Sequence, residues 1–340
     1  MRPRAPRALA LAFACILGRV GASGLGVETS LELQGFYSFP NHEAVDSAGF
    51  APVEYGELKS PCQGGREVGS SWGGAGAKLI LSRKLILPAL AGSGPLTKGN
   101  NLSLSLTGEL TPISADLGLE ASITPVAFLS LALGASGGTG WDLGFTGLGL
   151  SHRESGGMVG REPGGLVYRA WCRGTLQMDL AAILPGEWNH VVAQASPSIE
   201  YRAYDRAGSG TAWIWEADEG MNFNGWTLYG DYFLGYRMPI ALSLAGILVQ
   251  SKSWIGSVRE MAPSDGSKAL SWGSDFTYLT FGPVFGFSID ERSSLTLLPQ
   301  FRTGIDWSDS TTGSPDFECR SYEGAYLYFY RIAFDYSLKL

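Results

Sequence analysis

Hydrophobic and polar residues alternate one by one along the final segment of the chain. The even-numbered positions from Tyr326 to Leu340 are all apolar or aromatic, whereas Arg331, Asp335 and Lys339 stand at odd-numbered positions. A period of two residues is typical of a β-strand with one apolar face and one polar face. The segment therefore predicts a strand that continues to the last residue.

The same alternation recurs in many segments upstream. Leu102, Leu104 and Leu106, for example, alternate with Ser103 and Ser105. Several stripes exceed the roughly 9–11 residues with which a tilted strand crosses a bilayer, whereas strands of soluble sheets usually have about 5–6 residues. The predicted strands are 27–39, 72–87, 99–111, 115–124, 125–135, 166–184, 188–204, 224–238, 239–252, 270–289, 292–307 and 321–340.

Long alternating strands are compatible with a soluble β-sandwich or with a closed membrane barrel. Only 17% of the residues are charged and 47 are glycine, and this composition favours a barrel whose outer wall meets lipid. Lipid cannot hydrogen-bond a free strand edge, so such a sheet must close on itself. We predict an all-β, transmembrane, antiparallel up-and-down β-barrel of about 12 strands, with 10 to 14 possible, and keep the sandwich as the alternative.

Short and long connections alternate along the chain, with one short outer link near Pro112–Ala115. In membrane barrels the short turns lie on one side and the long loops on the other, so both chain ends are predicted on the side of the turns. Segment 141–150 is placed within a long loop, although a further strand pair there would raise the number to about 14. The long outer loops are predicted at 40–71, 136–165, 205–223, 253–270 and 308–320.

The N-terminal segment 1–22 has the pattern of a cleaved secretory signal peptide. Arginines near the start precede the apolar stretch Ala8–Leu17, which is too short to span a bilayer, and Val20–Ala22 supplies small residues for cleavage. Residues 23–340 are then the mature barrel. Lipidation at Cys15 is an alternative, but Phe13 is bulky where a lipidation motif has a small residue.

The C-terminal strand resembles the insertion signal of bacterial outer-membrane β-barrels, in which hydrophobic residues alternate back from the chain end. Phe334, Tyr336 and Leu338 fit this pattern, and the chain ends in Leu340 where that family usually ends in Phe or Trp. Thr124–Leu129 and Pro185–Val192 resemble segments of spirochaetal, treponeme-type outer-membrane proteins.

The resemblance implies a location and a set of partners. It implies that the barrel lies in a bacterial outer membrane with both termini in the periplasm and with its outer wall in lipid. It also implies that the barrel-assembly machinery recognises the C-terminal strand. The motifs are turns and strands, so the resemblance implies fold and location rather than a particular activity.

The charge balance argues against nucleic acid as a partner. Without the four arginines of segment 1–22, the 25 basic residues become 21 against 32 acidic residues, which is a net charge of −11. Polyanions such as nucleic acids require a basic surface, and the sequence contains no basic run.

The polar parity of the strands predicts the residues that face the barrel interior. Two functions are compatible with their mixed charge: a narrow porin-like channel for small polar solutes, or a closed structural barrel that displays surface loops for adhesion or binding. The predicted lumen-lining residues are Glu32, Arg169, Arg173, Asp179, Glu200, Arg202, Asp231, Arg237, Arg302, Arg331 and Asp335.

Many tryptophans fall at predicted strand ends, where an aromatic girdle meets the membrane surface. The predicted girdle consists of Trp72, Trp171, Trp188, Trp226, Trp254, Trp272 and Trp307.

Three cysteines follow the signal segment. Cys62 and Cys319 fall in the first and last outer loops, which are neighbours in a closed barrel, and a disulfide between them would join the first and last strands. The alternative is three free thiols. Cys172 lies on the apolar parity, as expected of a small packed hydrophobic residue.

The sequence shows no pattern of catalytic or metal-binding residues. His42, His152 and His190 lie far apart without metal-ligand spacing. Outer-membrane enzymes can use a histidine with a serine or acidic residues, and His190 is the candidate for such a role. No G-x-S-x-G or phosphate-loop motif accompanies it. We therefore predict a protein that is not an enzyme and has no cofactor.

Overall fold

The computed structural model describes residues 26–38, 74–141, 150–154, 157–159, 165–208, 213–216, 222–261, 275–309 and 320–340. The predicted signal peptide, the predicted first loop and the candidate disulfide lie outside the described residues, as do Trp72 and Trp272.

The described chain is built almost entirely from β-strands. Two short 3-10 helices, Leu180–Ala182 and Gly256–Met261, accompany them. No helix of the described ranges is long and apolar enough to cross a membrane. In chain order the strands are β1 (Gly26–Ser38), β2 (Gly74–Leu87), β3 (Asn101–Leu110), β4 (Ser114–Val126), β5 (Leu129–Gly140), β6 (Leu150–Glu154), β7 (Gly157–Val159), β8 (Val167–Asp179), β9 (His190–Tyr204), β10 (Trp213–Trp215), β11 (Gly225–Arg237), β12 (Leu242–Ile255), β13 (Thr277–Ser288), β14 (Ser293–Asp309) and β15 (Arg320–Lys339).

Twelve of these strands form one closed barrel, and β6, β7 and β10 form a separate small sheet. Each barrel strand pairs antiparallel with the barrel strands before and after it, and β15 pairs with β1 to close the ring. The closing register runs from Ser30 opposite Lys339 to Ser38 opposite Arg331. The amide of Leu340 still donates to the carbonyl of Thr29 at 2.9 Å. The predicted 12-stranded up-and-down barrel is confirmed.

The outer surface of the barrel is apolar. Leu133, Leu234 and Ile247 expose 64%, 61% and 59% of their surface, and they belong to rows of large exposed hydrophobic side chains on nearly every barrel strand. A protein surrounded by water rarely exposes apolar surface on this scale. This apolar outer face is that of a transmembrane β-barrel.

Most short turns lie at one end of the barrel and most long connections at the other, the exceptions being the short link 111–113 between β3 and β4 and the longer link 88–100 between β2 and β3. We call the two ends the turn end, where β1 begins and β15 ends, and the loop end. At the turn end, the carboxylate of Asp290 accepts hydrogen bonds from the amides of Arg292 and Ser293 at 2.7 and 2.8 Å. Hydrogen bonding by Ser293, followed by the bond from Arg292, lowers the pKa of Asp290 below its ordinary value. The ionised carboxylate thus stabilises the β13–β14 turn.

Some strand boundaries differ from the sequence-based prediction. β5 starts at Leu129 and continues to Gly140, inside the predicted loop 136–165, and β12 continues to Ile255, inside the predicted loop 253–270. The upper part of β5 consists of small residues, which give no hydrophobic alternation to read. Its backbone nevertheless pairs with β4 on one side and β8 on the other.

A β-bulge in β15 overturns part of the predicted alternation. Gln300 lies opposite Arg331, but the next residue, Phe301, lies opposite Phe329, so Tyr330 is extra. The bulge exchanges the two faces of the strand. Beyond it Leu327 faces outward with 56% of its surface exposed. Tyr326, Tyr328 and Tyr330, which the sequence pattern assigns to the outer face, lie on the inner side instead.

A second irregularity lies between β13 and β14. Phe281 pairs with Phe301, and Phe285 pairs with Leu297, but there is no ladder pair between these two. Pro283 and Pro299 fall in this gap, and proline has no amide hydrogen to donate. Gly282 allows the close approach of the two backbones, because a Cβ there would collide with the carbonyl oxygen of Pro299.

The bulge predicts that Leu327 and Tyr328 respond oppositely to charge. Leu327→Arg would place a guanidinium in lipid and should lower the free energy of unfolding by between about 1 and 4 kcal/mol, depending on depth. Tyr328→Arg would place it in the polar interior and should have a smaller effect. Denaturant titration in lipid vesicles, followed by tryptophan fluorescence, compares the two. A larger loss for Tyr328→Arg would show that the bulge is absent.

Candidate functional site in the barrel interior

The polar side chains of the strands converge on the barrel interior. By strand register and alternation, every residue that the sequence predicts to line the lumen lies on this inner face. These residues are Glu32, Arg169, Arg173, Asp179, Glu200, Arg202, Asp231, Arg237, Arg302, Arg331 and Asp335. The structure distributes them over two opposite walls, the turn end and, in the case of Glu32, strand β1 between the walls.

One wall, formed by β4, β5 and β8, carries charges that are paired with one another. Arg169 Nη2 lies 3.1 Å from Asp116 Oδ1, and the side chain of Asp116 is only 3% exposed. Ser136 on β5 lies between them: its hydroxyl donates to Asp116 at 3.3 Å and accepts from Arg169 Nε at 3.0 Å. The negative charge of the buried Asp116 carboxylate is thus balanced by Arg169, and the carboxylate is hydrogen-bonded.

A second pair lies lower on the same wall. Arg173 Nη2 and Trp171 Nε1 both donate to Glu120 Oε2, at 2.6 and 2.8 Å. The ring of Trp171 covers Gly134 on β5, where any side chain would collide with it. Trp171 therefore belongs to the interior and not to the outer aromatic girdle predicted for it.

The opposite wall encloses a cavity of about 420 Å³ between β9 and β15. A chain of hydrogen bonds follows this wall across four strands. Asp231 accepts from Gln250 at 2.8 Å, Gln250 accepts from Gln300 at 3.1 Å, and Gln300 accepts from Arg331 Nε at 2.7 Å. The charged residues that line the cavity are Glu200, Arg202, Asp231, Lys252, Arg302 and Arg331.

Tyrosine rings contact the cations of this wall. The guanidinium of Arg302 lies 5.3 Å from the ring centre of Tyr278 and 5.0 Å from that of Tyr330. Tyr328 and Tyr326 continue the row towards the loop end. The ring centres of Tyr330 and Tyr328 are 6.0 Å apart, and those of Tyr328 and Tyr326 are 5.4 Å apart. These cation–π contacts stabilise the arginine within the lumen, and it is the β15 bulge that brings the tyrosines inside.

The cavity has an excess of positive charge. Four cationic and two acidic side chains line it, a formal charge of +2, although the chain as a whole carries −7. Glu200 is paired with Arg202 at 2.8 Å.

Residues from a loop-end connection fill part of the barrel mouth. Trp213 is fully buried and Trp215 is 8% exposed. They pack with Tyr204 and Val167 in a buried cluster. Trp213 belongs to β10, which pairs with β6, so two long connections meet in the small sheet that lies with this cluster.

The residue after β10 connects this loop to the far wall. Glu216 contacts Lys78 on β2 at 3.2 Å and accepts a hydrogen bond from Ser114 on β4 at 2.7 Å. Lys78 also pairs with Glu109 at 2.9 Å. Glu216 has a φ of 55°, which is uncommon for a residue other than glycine. The contacts of its carboxylate hold the β10 segment across the mouth.

At the turn end, His190 Nδ1 lies 2.8 Å from Asp179 Oδ2. Asp179 also caps the 3-10 helix by accepting from the amide of Ala181 at 2.9 Å. The pair thus joins β8 to β9 beside their turn. His190 thus contributes to the packing of the β8–β9 turn through Asp179.

The remaining tryptophans of the predicted girdle divide between the two faces. Trp226 and Trp188 are exposed by 45% and 52%, near the loop end and the turn end respectively, and the carbonyl of Trp188 accepts from the Tyr236 hydroxyl. Trp254 is only 2% exposed and lies inside, because it shares the inner parity of Lys252. The side chain of Trp307 lies outside the described part of the chain.

Cys172 is free and lies on the outer face of β8, as its apolar parity predicts, but it is exposed there and not packed among protein side chains. Within the described ranges, no group of three or more His, Cys, Asp or Glu side chains could hold a metal ion.

Sequence reasoning missed several interior residues. Lys78, Glu109 and Glu120 lie on predicted strands at positions of inner parity, so strict alternation could have identified them. Glu216 could not be identified in this way, because it reaches the lumen from a loop rather than from a strand.

The two arginine pairs of the paired wall should differ in their effect on stability. Arg169→Met leaves the buried carboxylate of Asp116 uncompensated and should cost about 3–5 kcal/mol of unfolding free energy. Arg173→Met should cost less, since the side chain of Glu120 is 24% exposed. Adding Asp116→Asn should restore part of the loss in the first variant. Equal losses for the two single variants would contradict the burial argument.

The contacts of Glu216 predict how the loop segment responds to loss of the carboxylate charge. Glu216→Gln keeps the Lys78–Glu109 pair but weakens the contacts to Lys78 and Ser114, so the amides of 213–216 should exchange hydrogen faster. Hydrogen exchange followed by mass spectrometry measures this. Glu187→Gln, at an exposed position of the β8–β9 turn, is the matched control. Unchanged exchange would show that the carboxylate does not hold the segment.

Comparisons with known proteins give similarity at a low level. No protein-family model matches the chain, and no curated protein matches it. Nothing in the comparisons points to a spirochaetal relative. Among solved structures, the chain is similar to a KdgM porin, with 11% identity, a TM-score of 0.33 and coverage of 92% of this chain and 99% of that one. It is also similar to the outer membrane phospholipase of Salmonella typhi (10% identity, TM-score 0.30, 96% of each chain covered). A BenF-like porin from Pseudomonas fluorescens shows 8% identity, a TM-score of 0.23 and coverage of 93% and 98%.

Proposed function

We propose that the protein is a narrow channel for small polar solutes in a bacterial outer membrane. The observation that carries this proposal is the contrast between the two faces of one closed sheet. Outside, large hydrophobic side chains are exposed on the barrel wall. Inside, charged and amide side chains surround a cavity of about 420 Å³. A polar interior within an apolar wall is the physical requirement for passing a hydrated solute through a bilayer.

Three features taken together support the proposed placement in an outer membrane. The sequence begins with a segment that has the pattern of a secretory signal. The fold is a closed barrel that leaves no strand edge in lipid. The C-terminal strand pairs with β1 as far as Leu340, as expected of a strand that the assembly machinery recognises and joins to the first. Both chain ends then lie in the periplasm, and the resemblance to spirochaetal barrels is part of this proposal.

The proposed channel is narrow because side chains and a loop occupy much of the bore. Trp213 and Trp215 fill part of the mouth beneath β8 and β9, and Glu216 reaches the wall of β2 and β4. The space that remains suits small solutes. The lining is polar, so partitioning of apolar molecules is disfavoured.

A closed barrel that displays loops is the second candidate. The same inward-folded segment favours it, since a mouth filled by Trp213 and fixed by Glu216 could block passage. The two candidates differ in one measurable respect, which is whether ions cross a bilayer through the protein.

Conductance across a planar bilayer tests the channel proposal. The refolded mature protein should show discrete openings. The double variant Arg202→Glu, Arg302→Glu reverses two cavity charges and should shift the reversal potential in a salt gradient towards cation preference, because fixed charge sets the local ion concentrations. A faster-migrating band in unheated gel samples, if the same for both proteins, shows that both have folded.

Folded protein that gives no openings over a wide voltage range would exclude the channel and leave the loop-displaying barrel. Openings with an unchanged reversal potential in the double variant would show that ions bypass the cavity.

A further inference from the structure

The guanidinium of Arg331 is held in the lumen by groups that do not neutralise its charge. Its Nε donates to Gln300 at 2.7 Å. Its central carbon lies 5.3 Å from the ring centre of Phe36 and 5.0 Å from that of Tyr330. Among the described residues, none of these contacts of the Arg331 guanidinium is with a carboxylate.

Other cations of the interior have a different environment. Arg169, Arg173 and Arg202 each contact a carboxylate oxygen at 2.6 to 3.1 Å, and Lys78 contacts two carboxylates. A guanidinium away from bulk water is normally stabilised in this way, because burial of a charge without a partner is costly. Arg331 is the exception among these arginines, and it faces the cavity.

The contact with Gln300 also orients Arg331. Gln300 is 3% exposed, and its hydrogen bond to Gln250 fixes its position. It therefore orients the guanidinium by accepting the hydrogen bond from Arg331 Nε. The planar guanidinium fork then projects towards the cavity, which it lines together with Arg302 and Lys252. A planar fork of N–H donors matches the oxygens of a carboxylate or a phosphate.

We propose that Arg331 is the centre of an anion-binding site in the lumen, and that its ligand is the oxyanion group, carboxylate or phosphate, of a small polar solute. The proposal names the solute class for the channel and therefore rests on the proposed function. The formal charge of +2 around the cavity favours an anion, and the volume of about 420 Å³ admits a small molecule. The rings of Tyr278 and Tyr330 supply flat surfaces beside the site.

The direct test is calorimetric titration of the refolded mature barrel in detergent, with inorganic phosphate and acetate as separate probes. Both probes carry an oxyanion of the kind that the fork recognises. The probe that binds more tightly shows whether the site prefers a phosphate or a carboxylate. Arg331→Gln should weaken binding about tenfold or more, since it removes charge-assisted hydrogen bonds. Arg331→Lys keeps the charge but not the planar fork. Its affinity for the probes should lie between those of the unmodified protein and Arg331→Gln.

The matched control removes a charge pair on the other wall. Arg173→Gln with Glu120→Gln leaves the net charge unchanged and lies outside the cavity, so it should bind the probes as the unmodified protein does. Absence of binding in the unmodified protein, or equal binding by Arg331→Gln, would overturn the site.

The titration needs no membrane, so the two proposals can fail separately. Conductance without binding overturns the anion site and leaves the channel. Binding without conductance leaves an anion site inside a closed barrel and overturns the channel. In the bilayer, the expected companion result is that Arg331→Gln moves the reversal potential towards cation preference.

Discussion

The need of every backbone amide for a hydrogen-bond partner in lipid is the constraint on which this structure depends. Hydrocarbon offers no donors or acceptors, so a sheet there is stable only as a closed ring. The last element meets this need by pairing with the first from Ser30 to Ser38 and by using the amide of Leu340. Where Pro283 and Pro299 remove donors from the ladder, pairs on both sides keep the register. The ring is therefore closed even though its ladder has a local gap between β13 and β14.

Closure also determines where polar groups can be placed. Once the ring is formed, alternate residues must face lipid or the interior, and a bulge exchanges the two assignments up to the next register shift. In β15 this exchange takes Tyr328 out of the lipid-facing row and puts Leu327 there. The tyrosine then lies beside Tyr330, close to Arg302. A change in hydrogen-bond register on one strand thus shapes the chemistry of the lumen.

The sequence predicted the features that depend on long runs of alternation. The strand number, the antiparallel order and the inner parity of residues such as Arg169 and Arg302 follow from a period of two. Features set by single residues or by tertiary contacts did not follow. The end of β5 is glycine-rich and has no stripe, and the tryptophans at 171 and 254 were assigned by position near strand ends although their parity points inward. Glu216 lies in a loop whose path only the folded chain defines.

The distribution of charge inside the barrel bears on whether the interior is a packed core or a passage. A packed core requires that buried charges be paired, since an isolated charge in a low-dielectric interior is unstable. The wall of β4 and β8 meets this requirement through Asp116 with Arg169 and Glu120 with Arg173. The wall of β12 to β15 does not meet it in the same way, because the partners of Arg331 in the described chain are an amide and two aromatic rings. Access of water or a dissolved anion would add to the stability of such a charge, and the proposed channel provides that access.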